Sequence, residues 1–87
     1  MYKVVLSRDA LKDQPLLKKA GLSQQAKELI DILKLNPFQS PPPFERLHGK
    51  FEKYYTRRIT LHDRLVYEVD KKNKSVTIRR MWGHFPP

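Results

Sequence analysis

The chain has 87 residues, no cysteine and a formal charge of +9, from 18 Lys and Arg against 9 Asp and Glu. Surface scaling for a chain of this size gives roughly 5,400 Å² folded against about 15,100 Å² unfolded, which supports one small core over residues 1–87 and excludes two domains or a bulky enclosed cofactor. Without cysteine, disulfide scaffolds, iron–sulfur centres, zinc–cysteine sites and thiol catalysis are excluded, and a reducing cytoplasmic setting is expected. Hydrophobic residues at 39% and charged residues at 31% suit a globular protein. The apolar run near the start, Val4-Val5-Leu6, is too short for a signal peptide or a membrane span. The positive charge favours a polyanion or an acidic protein as partner. It is uneven: seven bases against four acids in residues 1–40, and eleven against five in residues 41–87.

Tyr2–Leu6 reads as an opening strand, followed by Ser7 and Asp9 as helix-start residues. Ala10, Leu11, Leu16, Leu17 and Ala20 line a predicted helix that stops at Gly21. Pro15 removes an amide donor and disfavours helix at Gln14, so this helix is expected to kink or to begin late. Ser23 is the expected N-cap of a second helix, with Ala26, Leu29, Ile30 and Leu33 as its apolar stripe. The tight turn between them predicts an antiparallel helical hairpin. Asn36-Pro37 ends the second helix, and Gln39–Pro43 reads as a stiff extended connector. From Lys53 the periodicity changes to two. Runs around Tyr55–Ile59, Leu65–Val69 and Val76–His84 predict three strands, joined by turns at Leu61–Asp63 and Asp70–Lys74. The predicted class is α+β: a strand, a two-helix hairpin, then an antiparallel β-meander with the helices on one face and the other face free.

Strand phase then selects candidate functional residues. Alternate side chains point to opposite faces. Leu65, Tyr67 and Val69 are expected in the core, so Arg64 points away from it. Arg57 and Arg58 fall on opposite sides, and Arg58 shares the phase of Thr56 and Thr60, the expected exposed face. The last strand is expected to carry His84 and Phe85. Strand ends meet in a meander, so Arg58, Arg64 and His84 are expected to converge, with Glu45 approaching from the segment that enters the sheet.

A carboxylate, an imidazole and two guanidiniums can cleave RNA without metal. The 2′-hydroxyl is the nucleophile, a base removes its proton, an acid protonates the leaving 5′-oxygen, and cations stabilise the crowded phosphorane. Arginine's planar fork grips two phosphate oxygens and stays charged. Histidine titrates near neutral pH, and adjacent phosphate raises its pKa. The plain alternatives are an exposed acid beside Arg46, a solvated basic strand face, an Arg64 paired with Asp63 or Glu68, and a surface His84 in a frayed tail. Tyr54, Tyr55 and Trp82 fit a core as well as a base-stacking platform. His48 and His62 have no partner at metal-ligand spacing, so no metal is expected. There is no Gly-rich phosphate loop and no serine–histidine–acid constellation.

The segments LIDILKLNPF, PPPFERLHGKF, TRRITLHDRLVYEV and MWGHF resemble the Txe/YoeB family of bacterial toxins, within the RelE superfamily of ribosome-dependent mRNA interferases. They cover the chain from about Leu29 to Phe85. The resemblance implies the small RelE-like α+β fold and endonucleolytic cleavage of mRNA in the ribosomal decoding site, leaving a cyclic phosphate and halting translation. It implies no cofactor. The implied partners are the ribosome with its mRNA and a cognate antitoxin whose acidic or amphipathic segment wraps the toxin and displaces its C-terminal tail; operator DNA is reached through that antitoxin.

Carried over residue by residue, the resemblance places Glu45 on the general base, Arg64 on the transition-state arginine and His84 on the C-terminal general acid. It places Arg58, with Arg57 beside it in the RRI run, among the phosphate contacts, His48 among possible substrate contacts and Phe85 on the terminal aromatic. The family usually ends histidine–tyrosine, whereas this chain ends His84-Phe85 followed by two prolines. Phe85 keeps a ring for stacking and lacks the hydroxyl. Two other readings follow: an attenuated or inactive homologue that binds antitoxin and ribosome, and a general basic RNA-binding domain, for which no recognised motif is present.

Overall fold

The computed structural model describes residues 1–83. β1 (Lys3–Leu6), α1 (Arg8–Lys19) and α2 (Ser23–Leu35) are followed by β2 (Glu45–Arg46), a single helical turn at Gly49–Phe51, β3 (Tyr54–Arg58), β4 (Arg64–Asp70) and β5 (Ser75–Arg80). The five strands form one mixed sheet in the order β1-β5-β4-β3-β2. β3, β4 and β5 are the expected antiparallel meander, β2 adds an antiparallel edge, and β1 joins β5 in parallel at the other edge. The class is the expected α+β.

α1 starts where Ser7 accepts a hydrogen bond from the Ala10 amide, and it runs through Pro15 to Lys19. It does not begin late, and it buries only part of the expected stripe, Ala10 and Leu17. Leu11 and Leu16 are 53% and 42% exposed, whereas Ala10, Asp13 and Leu17 are buried. Positions 10, 13 and 17 share one side of a 3.6-residue period, and that side meets the sheet. α2 buries Ala26, Leu29 and Leu33 as its stripe requires. Its N-cap is Leu22 rather than Ser23, with no side-chain cap. These helix residues pack on Leu65 and Tyr67 of β4, Val76 and Ile78 of β5, and Met81.

Two departures from simple alternation shape the sheet. A register shift pairs Val66 with Arg80 but Tyr67 with Ile78, so β5 carries an extra residue at Arg79. Beyond this bulge the phase of β5 changes. Met81 joins Val76 and Ile78 in the core, where unbroken alternation would have put Arg80. Second, the face away from the helices is not simply open, for Thr56 and Val66 on it are 1% and 0% exposed.

The proline-rich connector is not a spacer. Pro37 is fully buried, and the carbonyls of Pro37, Gln39 and Pro42 all accept from the Arg57 guanidinium, at 3.0, 2.8 and 2.6 Å. Prolines have no amide to offer a sheet, and their carbonyls still need donors. One arginine supplies them. Phe38 and Phe44 from this segment pack against Tyr55, completing the cover of β3 beyond the reach of the helices.

Candidate functional site

β2 and β3 pair with Glu45 opposite Thr56, and β3 and β4 pair with Thr56 opposite Val66 and Arg58 opposite Arg64. Partners in an antiparallel ladder present their side chains on the same face. Glu45, Thr56, Arg58 and Arg64 therefore share one side of the sheet. With Pro43 and Phe44 they line a cleft of about 270 Å³. Three of the residues selected from the sequence, more than a dozen positions apart at the extremes, are brought together there.

The electrostatics of this cleft are unusual for a folding device. Two guanidiniums stand on directly opposed positions, and like charges so placed are destabilising. Among the described residues, neither Arg58 nor Arg64 makes a side-chain hydrogen bond or ion pair, and neither does Glu45. Beneath them the Thr56 hydroxyl is buried without a hydrogen-bond partner. An anion seated between the two forks would relieve the repulsion and take the planar two-oxygen contact that arginine offers.

Arg57, expected among the phosphate contacts, lies on the other face and is 1% exposed. Besides the three carbonyls, it donates to the Tyr67 hydroxyl at 3.2 Å and lies 4.9 Å from the Phe44 ring centroid. Its donors are committed to the fold, so the geometry assigns it to the connector rather than to a ligand. Burial raises the pKa of the Tyr67 phenol, against the pull of the Arg57 charge beside it. His48 is exposed at the start of the Gly49–Phe51 turn, beyond β2, and does not line the cleft. His84 and Phe85 lie outside the described residues.

Sequence reasoning passed over Asp13 and offered Asp63 only as a turn residue and a partner for Arg64. Asp13, 3% exposed, accepts from Arg80 Nε at 3.0 Å, Arg80 Nη2 at 3.3 Å and the Met81 amide at 2.9 Å. This tie fixes α1 to the end of β5, and its hydrogen bond, more than the attraction of the Asp13 charge, holds the Arg80 pKa above its ordinary value. An acid on the stripe of Ala10 and Leu17 was the available signal. Asp63 accepts from the Gly83 amide at 2.9 Å and from the Thr60 hydroxyl at 3.0 Å. No local pattern announces a contact twenty residues away. Among the described residues no group of three or more His, Asp or Glu could hold a metal ion, and no helix is long and apolar enough to cross a membrane.

A small α+β domain of two helices and a five-stranded mixed sheet is the fold of the YoeB-type toxins of the RelE superfamily. The family model of the YoeB-like toxin of bacterial type II toxin–antitoxin systems matches residues 8–85, and the chain belongs to that family. Among solved structures, the YoeB/ParE toxin from Agrobacterium tumefaciens superposes with a TM-score of 0.85 at 26% identity, over 95% of this chain and 99% of that one. The toxin fold also matches a chain of the YoeB–YefM complex from Staphylococcus aureus, with a TM-score of 0.80, 24% identity and coverage of 98% and 99%. YafQ from E. coli gives 0.79 at 19% identity, over 97% of this chain and 94% of that one. No curated protein matches the chain by sequence.

Proposed function

We propose that this toxin is an endoribonuclease that cleaves mRNA on the ribosome and so inhibits translation. The observation that carries this reading is the cross-strand pair Arg58–Arg64, which has no ion-pair partner among the described residues and lines the cleft that also contains Glu45. In the reaction the scissile phosphate sits between the two guanidiniums. The Glu45 carboxylate takes the proton of the 2′-hydroxyl, and the 2′-oxygen attacks the adjacent phosphorus. Arg64 stabilises the charge that develops on the non-bridging oxygens, with Arg58 holding the phosphate. The bond to the 5′-oxygen breaks as His84 gives that oxygen a proton, leaving a 2′,3′-cyclic phosphate and a free 5′-hydroxyl. Phe85 stacks on a neighbouring base. RNA brings its own nucleophile and the arginines bring the charge, so no cofactor enters; DNA lacks the 2′-hydroxyl and is not cut.

The partners follow from the same chemistry. The charge of +9 favours ribosomal RNA and mRNA. It equally favours an acidic antitoxin, and a YoeB–YefM complex exists for the S. aureus relative. The groove between α1 and α2, lined by Leu17, Ala26, Ile30 and Met81 and edged by Lys18 and Lys27, suits an amphipathic acidic segment. Operator DNA is then contacted through the antitoxin.

Primer extension on mRNA translated in the presence of the protein tests the reading. New 5′ ends with the wild type, absent without ribosomes and lost with Arg64→Ala, are expected. Intact mRNA with wild-type protein that still binds ribosomes would favour the attenuated homologue, which the Phe85 replacement also suggests. Ribosome-independent binding to free RNA, with a salt slope of about −0.7 per phosphate contacted, would favour a general RNA-binding domain.

A further inference from the structure

Among the described residues, three buried side-chain polar atoms have no hydrogen-bond partner: Glu68 Oε2, Arg79 Nε and the Thr56 hydroxyl. The first two belong to the Arg79–Glu68 ion pair, which closes at 2.9 Å through their other atoms. Thr56 has no such tie. It is 1% exposed in the middle of β3, and a hydroxyl left unbonded there costs stability that an apolar side chain of the same shape would not. Valine is equally branched and suits a strand as well, so strand formation does not explain the hydroxyl.

The surroundings of Thr56 leave one side-chain acceptor. It stands opposite Val66 on β4 and opposite Glu45 on β2. The other residues that line its cleft are Pro43, Phe44, Arg58 and Arg64. Proline and phenylalanine side chains carry no acceptor, and arginine only donates. Glu45 alone offers side-chain oxygens. Directly opposed residues of an antiparallel pair hold their Cβ atoms about 4.5–5.5 Å apart, within reach of a glutamate side chain. The Glu45 carboxylate is likewise unpartnered among the described residues. We infer that Thr56 is a positioning residue for Glu45: its hydroxyl donates to one carboxylate oxygen once RNA covers the cleft, and so aims the other at the 2′-hydroxyl. Bound RNA displaces the water that solvates an exposed carboxylate, and catalytic hydrogen bonds often tighten only in the substrate complex. The inference rests on the endoribonuclease reading and needs no contact between Thr56 and RNA.

The test is single-turnover cleavage on programmed ribosomes, with thermal melts, for the wild type, Thr56→Val, Thr56→Ser, Glu45→Ala and the double variant Thr56→Val/Glu45→Ala. Thr56→Val should cut about 10–100-fold more slowly at saturating ribosomes, with ribosome affinity unchanged, since an error of about 1 Å in placing a reacting group can lower a rate about 10²-fold. Its melting temperature should hold or rise, because the unbonded hydroxyl is gone. Thr56→Ser keeps the hydroxyl and gives up a buried methyl, so it should restore most of the rate while melting lower. In the Glu45→Ala background Thr56→Val should add little, because both changes remove the same contribution. Wild-type rates for Thr56→Val, a Thr56→Ser protein as slow as Thr56→Val, or additive losses in the double variant overturn the inference while leaving the nuclease reading intact. A Thr56→Val protein that melts lower or fails to fold overturns it as well, for the fold itself would then use the hydroxyl. A Glu45→Ala protein that cuts like the wild type overturns the inference together with the role of Glu45. A wild type that cuts nothing overturns the nuclease reading and this inference with it.

Discussion

Arg57 and Arg58 are neighbours in the chain and opposites in use. Arg57 is buried, and its guanidinium is satisfied by three carbonyls, a phenol and an aromatic face. Arg58 is exposed, faces Arg64 across the strands and has no counter-ion among the described residues. The same side chain thus acts as a structural tie on one face of the sheet and as an unspent charge on the other. A positive charge that the fold does not use, and that it places against another of the same sign, is held for something outside the fold.

Variants that separate the two faces break or sharpen this contrast. The largest effect is expected for Arg64→Ala: cleavage should fall about 10²–10³-fold, about 2.7–4 kcal/mol in the barrier, as for loss of one donor to a developing anion. Its melting temperature should hold or rise, because a like-charge pair is removed. Arg57→Ala should behave in the opposite way. It leaves the Pro37, Gln39 and Pro42 carbonyls without their donor and should lower stability by about 2–3 kcal/mol, read as a fall in melting temperature of about 4–8 °C per kcal/mol. Arg57→Lys should recover little of that loss, since a single ammonium cannot reach the three carbonyls with the planar fork's geometry. If Arg57→Ala folded as stably as the wild type and cut no RNA, the division between the faces would be wrong.

A smaller effect is expected for Arg58→Ala, about tenfold in cleavage, or about 1.4 kcal/mol. Inorganic phosphate should raise the wild-type melting temperature by binding the folded state, and Arg58→Ala should blunt that rise. The smallest effect tests the far end of the sheet. Asp70 accepts hydrogen bonds from the Asn73 side chain and backbone, and these, in that order of weight, lower its pKa. A lowered folded-state value means stability that is fully present above the ordinary carboxylate pKa of 3.8 and is lost as pH falls through the lowered one. Asp70→Ala should therefore weaken acid dependence slightly below about pH 4 and leave neutral-pH cleavage unchanged, as checked by melts across pH and by primer extension.

What was legible in the sequence follows the same division. Phase alone placed Arg58 and Arg64 on the face away from the helices, because period-two alternation is a local property of a strand. It also separated Arg57 from Arg58. It could not say what would satisfy Arg57, since the carbonyls that do so lie 15 to 20 residues earlier, in a connector that reads as a spacer. The stripe of α2 was legible for the same local reason. In α1 the apolar residues Leu11 and Leu16 misdirected the reading, because an acid, Asp13, occupies the buried face through a partner 67 residues away. The bulge at Arg79 shifted the phase of β5 and brought Met81 into the core. The resemblance, rather than periodicity, supplied the chemistry expected of Glu45 and His84.

The chemistry at the cleft is tested most directly by ribosomes programmed with an mRNA carrying one 2′-deoxynucleotide at the position the wild-type protein cuts. Loss of that cut, with the unmodified message yielding a 2′,3′-cyclic phosphate and a 5′-hydroxyl, is the predicted result. A cut that persists at the deoxy position would show that the nucleophile is not the RNA's own hydroxyl and would contradict the account.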